Sequence, residues 1–224
     1  MNIIRILPAL ALSLIASPCT HATLAPLAPN NFAPGATSLD FSSTASGTEV
    51  NGLFISNVLF QVTENGVATN GVVIVDAGPG TTNNIAPPNL VSLSNPSGLA
   101  LVVSLPNPIT QFGYGYAILV RSPVSAATTI QLFAGLTSVG SLDFAGSPDP
   151  TFAGGFAGLS STEPFDRAVL TFSTLGEAFA VDNVTFATAV PEQEQTLILL
   201  AIGVFGLVSF YFRRSLLFLM LSDY

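Results

Sequence analysis

Between residues 38 and 186 the hydrophobic positions fall in short runs rich in valine, isoleucine, phenylalanine and threonine. Glycine, proline, asparagine and serine separate the runs. No window of helical length carries a 3.6-residue apolar stripe, whereas alternation and turn residues recur at strand spacing. The pattern predicts strands over 38–42, 53–63, 71–75, 99–105, 109–120, 128–134, 137–144, 167–173 and 178–186. Short, regularly spaced strands of this kind suggest an all-β domain, a single antiparallel β-sandwich of jelly-roll type, over 38–189. Ahead of it, TLAPLAPNNFAP (23–34) is proline-rich and reads as part of an irregular lead-in over 23–37.

The two ends of the chain follow different patterns. Residues 1–22 hold one basic residue, Arg5, an apolar core over 6–16 and a small-residue end with Thr20 and Ala22. That is the order of a secretory signal peptide, a flanking N-terminal helix cut between Ala22 and Thr23. Near the other end, Pro191-Glu192-Gln193 precedes the uncharged run TLILLAIGVFGLVSFYF (196–212), and Arg213 and Arg214 follow directly. Seventeen uncharged residues reach the lower limit for a transmembrane helix, and flanking arginines favour the cytoplasmic side. The domain between the two ends is therefore expected outside the inner membrane.

A proline-acid pair, an apolar helix and an arginine cluster in this order resemble the PEP-CTERM sorting signal of exported bacterial proteins. Gln193 stands where that family usually has proline, and SLLFLMLSDY follows the arginines where it usually stops. The resemblance implies that 190–224 is a sorting and anchor segment recognised through Pro191, Glu192, Arg213 and Arg214 by an exosortase. It also implies a Gram-negative host, transient anchoring in the membrane, and residence at the cell surface or in an extracellular polysaccharide matrix. The final strand, with Ala180-Val181-Asp182-Asn183-Val184 before Phe186, resembles the closing strand of lectin-like jelly rolls in such proteins.

Composition narrows the chemistry. Cys19 and His21, the chain's only cysteine and histidine, leave with the signal peptide, and the chain has no lysine. Ser-His or Cys-His catalysis then lacks its base, and zinc lacks its usual ligands. A hydrolase would have to rely on a carboxylate pair such as Glu163 and Asp166, with Arg167 beside them as a surface partner. The expectation is that the chain is not an enzyme. Between 23 and 189, ten acids face two arginines, Arg121 and Arg167, a balance that disfavours nucleic acid as a partner.

Two strands carry candidate sites. In 112–118, Phe112, Tyr114, Tyr116 and Ile118 alternate with Gly113, Gly115 and Ala117. Tyr114 and Tyr116 then form either a stacking platform for a sugar ring or one face of a core strand whose glycines admit a close neighbour. The glycine-rich stretch within 145–161 is expected to be an exposed loop. Asp182, an acid within an apolar strand, needs solvent, a hydrogen bond or a metal. With Asp40 in the first strand it is a candidate structural calcium site, since calcium takes oxygen ligands; no cofactor is otherwise required. The leading functional expectation is a structural or adhesive protein of an exopolysaccharide matrix. The alternative is a specific carbohydrate-binding module for a cell-surface glycan, and a carboxylate-pair hydrolase comes third.

Overall fold

The computed structural model describes residues 22–76, 85–149 and 151–188. Among them are twelve β-strands and one turn of 3-10 helix, Pro29–Asn31, with no α-helix. In chain order the strands are β1 (Leu24–Pro26), β2 (Thr37–Leu39), β3 (Leu53–Ile55), β4 (Val58–Glu64), β5 (Val67–Ala68) and β6 (Val72–Val75). They continue with β7 (Asn89–Ser92), β8 (Leu99–Ile118), β9 (Val124–Ala134), β10 (Thr137–Pro148), β11 (Ala153–Phe172) and β12 (Phe179–Ala187). The all-β expectation holds. The hydrogen bonds, however, join the strands into one antiparallel sheet, ordered β10-β9-β11-β8-β12-β7-β6, rather than two separate ones. Strands β4, β2 and β1 attach to β8, β12 and β11 respectively, and β3 and β5 flank β4.

Two 20-residue strands hold this sheet together. The first half of β8 pairs with β4 and the second half with β12, while β11 runs alongside both halves. The sequence separates 99–105 from 109–120, and the reason is visible in the pairing. Pro106, Asn107 and Pro108 are exposed, and the β8–β11 register breaks at this level. Two prolines supply no N–H to a ladder, so the strand leaves its partner and bends. Opposite them, β11 shifts register between Ser160 and Arg167, around the exposed Pro164.

The bends bring side chains from distant parts of the sheet against each other. Tyr114 of β8 lies edge-on to Phe172 at the far end of β11, with ring centroids 6.3 Å apart. Phe172 in turn stacks on Phe179 of β12 at 3.8 Å. Phe41, Phe60, Phe112, Phe165, Leu101, Leu170 and Val181 complete a core with almost no solvent contact. The first half of β8 shows one buried face, with Leu99, Leu101, Val103 and Leu105 inside. From Gln111 to Ile118 every residue is buried, so this half is covered on both faces.

Two expectations are corrected. The lead-in is not irregular throughout, because Leu24–Pro26 pairs with Leu159–Ser161 as β1, and Leu27 N–H donates to the Gly158 carbonyl at 2.7 Å. The stretch 145–161 is not an exposed loop either. It is mostly strand, with β10 running to Pro148 and β11 starting at Ala153, and Gly154, Ala157 and Gly158 are buried. Glycine here serves close packing. A Cβ on Gly113 would stand 2.7 Å from Phe156 Cζ and 2.9 Å from the Ala157 carbonyl oxygen.

A Gly113→Ala substitution is therefore expected to cost about 1–3 kcal/mol, as overpacked cores do, because backbone as well as a ring must move. Urea unfolding with an unchanged slope and a lower midpoint would show it. A midpoint equal to the parent's would mean that β11 yields freely at this point.

Candidate functional site

Tyr114 and Tyr116 are fully buried, which corrects the stacking-platform reading. Thr128 Oγ1 donates to the Thr171 carbonyl at 2.9 Å, so the hydrogen bond between Tyr114 and Thr128 has the tyrosine hydroxyl as donor. The Tyr116 hydroxyl donates to the Ala145 carbonyl at 2.8 Å. Burial raises both phenol pKa values, that of Tyr116 to about 12, so both hydroxyls stay protonated at physiological pH. The glycine face of β8 is not bare. The Phe156 ring lies over Gly113 and Gly158, Phe32 from the lead-in meets Phe156 edge-on at 6.0 Å, and Ile85 packs on Ala117 and Ala180.

Asp182 sits on that covered face. Its cross-strand neighbour on β8 is Gly115, which has no side chain. On its other side β12 meets two strands in succession, β7 at Ala180 and Val181 and β2 from Val184 to Phe186. Continuing these registers by one residue sets Asn89, the first residue of β7, opposite Asp182, and Asp40, just past β2, opposite Asn183. Asn183 holds φ at +50° where the β8 ladder skips from Asp182 to Thr185, a bulge in β12. β2 thus pairs with β12, and Asp40 and Asp182 lie near their junction.

The polar atoms at this junction are incompletely matched. Asp182 is 1% exposed; its Oδ2 accepts from Ala86 N–H at 2.9 Å, and its Oδ1 has no partner. Asn89 is wholly buried, and neither its Oδ1 nor its Nδ2 is hydrogen-bonded. Asp40 is exposed, and its Oδ1 accepts from Ser42 N–H and Oγ. Burial pushes the Asp182 carboxyl up to about 6. Backbone hydrogen bonds from Ala86 and Asn183 oppose the shift, and the Asp40 charge adds to it. No three acids, cysteines or histidines cluster among the described residues, so any cation here would draw on amide or backbone oxygens as well.

A second feature lies at the bend of β8. There a groove of about 330 Å³ is lined by Gly35, Thr37, Pro106, Asn107, Ile109, Phe186, Ala187 and Thr188. Its lining carries hydroxyls, an amide and one half-buried aromatic ring, and no ionisable side chain. Pro106 of the bend lines this space, and Thr188 Oγ1 donates across to the Pro108 carbonyl at 3.4 Å. Sequence reasoning passes over Asn89, Asn107 and Phe186. Asn107 between two prolines is the one signal that marks a strand interruption.

The remaining candidates do not converge on either feature. Asp166 Oδ1 accepts from Gly135 N–H at 3.0 Å and fastens the β9–β10 turn, while Glu163 is exposed at the β11 bend. The Arg167 guanidinium lies over the Phe133 ring, 4.4 Å from its centroid. Ala22 and Thr23 begin the described chain, and Thr23 N–H donates to Thr162 Oγ1. The signal segment up to residue 21, the motif residues Pro191 and Glu192, the apolar run 196–212, and Arg213 and Arg214 lie outside the described residues.

No family model matches the chain, and no curated protein matches it. Among solved structures, the enzymatically active domain of bacteriophage CBA120 tailspike protein 4 is 19% identical, with a TM-score of 0.36. That match covers 62% of this chain and 22% of the other. The catalytic domain of a GH87 alpha-1,3-glucanase in complex with tetrasaccharides is 11% identical, with a TM-score of 0.33, and covers 59% of this chain and 28% of the other. The chain thus spans about a quarter of the length of either structure. Both names state an enzymatic activity, and this corrects the expectation that the chain is not an enzyme: that exclusion is withdrawn. At these TM-scores no activity is carried over to this chain.

The Asp182 environment sets a pH dependence. Its folded pKa, about 6, lies above the ordinary carboxylate value of 3.8, so between these values the folded state holds more protons than the unfolded one. In metal-free buffer its contribution is most favourable below about pH 4, falls as pH rises towards 6, and levels off above. Asp182→Asn is expected to flatten that part of the profile, read as urea midpoints between pH 4 and 7.5. A parallel profile in the variant would assign the slope to other groups.

Proposed function

We propose that this chain is an exported carbohydrate-binding domain, folded as a jelly-roll-like sandwich and delivered to the cell surface by a PEP-CTERM-like signal over 190–224. The observation that carries the binding reading is the groove at the β8 bend, with its hydroxyl, amide and aromatic lining and no charge. Neutral sugars present hydroxyls to such donors and acceptors and C–H faces to an aromatic ring, and a few placed polar groups in a mostly apolar cleft are how small-ligand sites orient their guests. Phe186 supplies the ring, Asn107 the amide, and Thr37 and Thr188 the hydroxyls. An excess of acids over the two arginines of the exported part disfavours an anionic polymer, which directs the reading to a neutral exopolysaccharide or cell-surface glycan.

The sorting part of the proposal rests on Pro191-Glu192, the uncharged 196–212 run and Arg213-Arg214, with an exosortase as the processing partner and the membrane as a temporary anchor. A structural or adhesive place in an extracellular matrix is one use of such a domain. Saturable recognition of one glycan is the property that the groove supports.

A glycan array followed by titration is expected to find saturable binding to a neutral polysaccharide. Asn107→Ala and Phe186→Ala should each weaken it about tenfold or more, the equivalent of about 1.4 kcal/mol. Unaltered affinity in both variants would remove the groove from the proposal, and a reducing-end assay on the bound polymer decides whether it is also cleaved. Intact mass of the protein from its native host should show a chain that begins at Thr23 and ends near Pro191. A product that retains Arg213, Arg214 and Tyr224 would remove the sorting part.

A further inference from the structure

The junction of β2, β7 and β12 holds a contradiction that packing alone does not resolve. Asp182 is buried, one of its carboxylate oxygens is unmatched, and a second carboxylate, that of Asp40, stands at the end of β2, the next strand along the same edge of β12. An unpaired buried charge is among the costliest features a fold can carry. The usual remedy is a basic side chain, and none is at hand among the described residues. The sequence has no lysine, and the two arginines of the described domain are placed elsewhere, Arg167 over Phe133 and Arg121 beyond the end of β8.

Asn89 changes the character of the site. It is wholly buried, its side-chain oxygen is unmatched, and the β7–β12 register sets it opposite Asp182. Cross-strand neighbours in an antiparallel pair project to the same side of the sheet, with Cβ atoms about 4.5–5.5 Å apart. Two unsatisfied oxygens from different strands therefore share one side of the sheet, with an acid at the adjoining strand end. Gly115, on the other side of Asp182, contributes no side chain to fill the space.

We infer that Asp182, Asn89 and Asp40 hold a calcium ion that joins the ends of β2 and β7 to the bulge of β12. The chemistry of the donors selects the ion. Two carboxylates and an amide oxygen form a hard, all-oxygen set without nitrogen or sulfur, and backbone carbonyls and water complete the six to eight ligands that calcium takes. Calcium tolerates the irregular geometry of a bulge, whereas magnesium demands a near-ideal octahedron. The ion supplies the positive charge that no described basic side chain brings to the junction, and it binds where β2 and β7 follow one another along β12. This assignment is independent of the glycan groove.

The test is calorimetric titration of the metal-stripped full chain with calcium chloride, paired with thermal melts. One ion per chain is expected, with a rise in Tm of roughly 5–10 °C once calcium is a hundredfold above its Kd. Asp182→Asn and Asn89→Ala should abolish the response. Should either fail to fold, Asp40→Asn, at an exposed position, should still weaken calcium binding tenfold or more. A bound water at the junction, in place of a cation, predicts no heat and no change in Tm at 10 mM calcium, and that result would overturn the assignment. So would an equal rise with magnesium, or a rise that survives in Asp182→Asn.

Discussion

The fold depends on one constraint, that the second half of β8 is covered on both faces. Residues 112 to 118 are almost out of contact with solvent, and large side chains there alternate with small or absent ones. Phe112, Tyr114, Tyr116 and Ile118 fill the core, and Gly113, Gly115 and Ala117 leave room for what lies on the opposite face. That room admits the Phe156 ring and the Ile85 segment, and the lead-in closes over it through Phe32. The covering segments then determine where polar groups are trapped. Asp182 is buried because it opens onto this roofed side of the sheet, and Asn89 shares its fate through the register of β7.

The groove and the acid junction both arise where regular pairing stops. At the groove, two prolines interrupt β8 and a shift of register answers in β11. At the junction, β7 gives way to β2 along β12, and Asn183 absorbs the mismatch with a left-handed backbone. Continuous ladder satisfies its own donors and acceptors, so free polar valence collects at interruptions. Both sites lie along β12, one at its bulge and one at its end, with Phe186 and Asp182 four residues apart on the same strand.

Strand content was largely legible in the sequence, because β-branched and aromatic runs between turn residues carry a local signal. The reading of 112–118 as a period-two strand holds, with Phe112, Tyr114, Tyr116 and Ile118 in the core. What failed to show was non-local. Leu24–Pro26 looks irregular on its own and becomes a strand only because β11 offers it an edge. The glycines within 145–161 signal a loop in isolation, yet they are conditions for close approach between β8, β11 and Phe156. Tyr114 and Tyr116 present the same alternation whether a sheet face is open or covered, and only the distant Thr128, Ala145 and Phe172 decide that it is covered. Asn89 had no local mark at all, since its importance follows from register with a strand some ninety positions away.

The position of β12 carries a consequence for how the chain comes to be folded. Phe179–Ala187 is the last of the described strands in sequence and yet an interior one, with β8 on one side and β7 and β2 on the other. A chain that emerges N-terminus first therefore lacks the strand that ties β2 and the β6–β7 pair to β8, and one edge of the second half of β8 stays open. An unpaired edge of that kind recruits foreign strands. Only the arrival of the final described residues closes it. Any cellular route that handles this protein must keep that edge from pairing wrongly until β12 arrives.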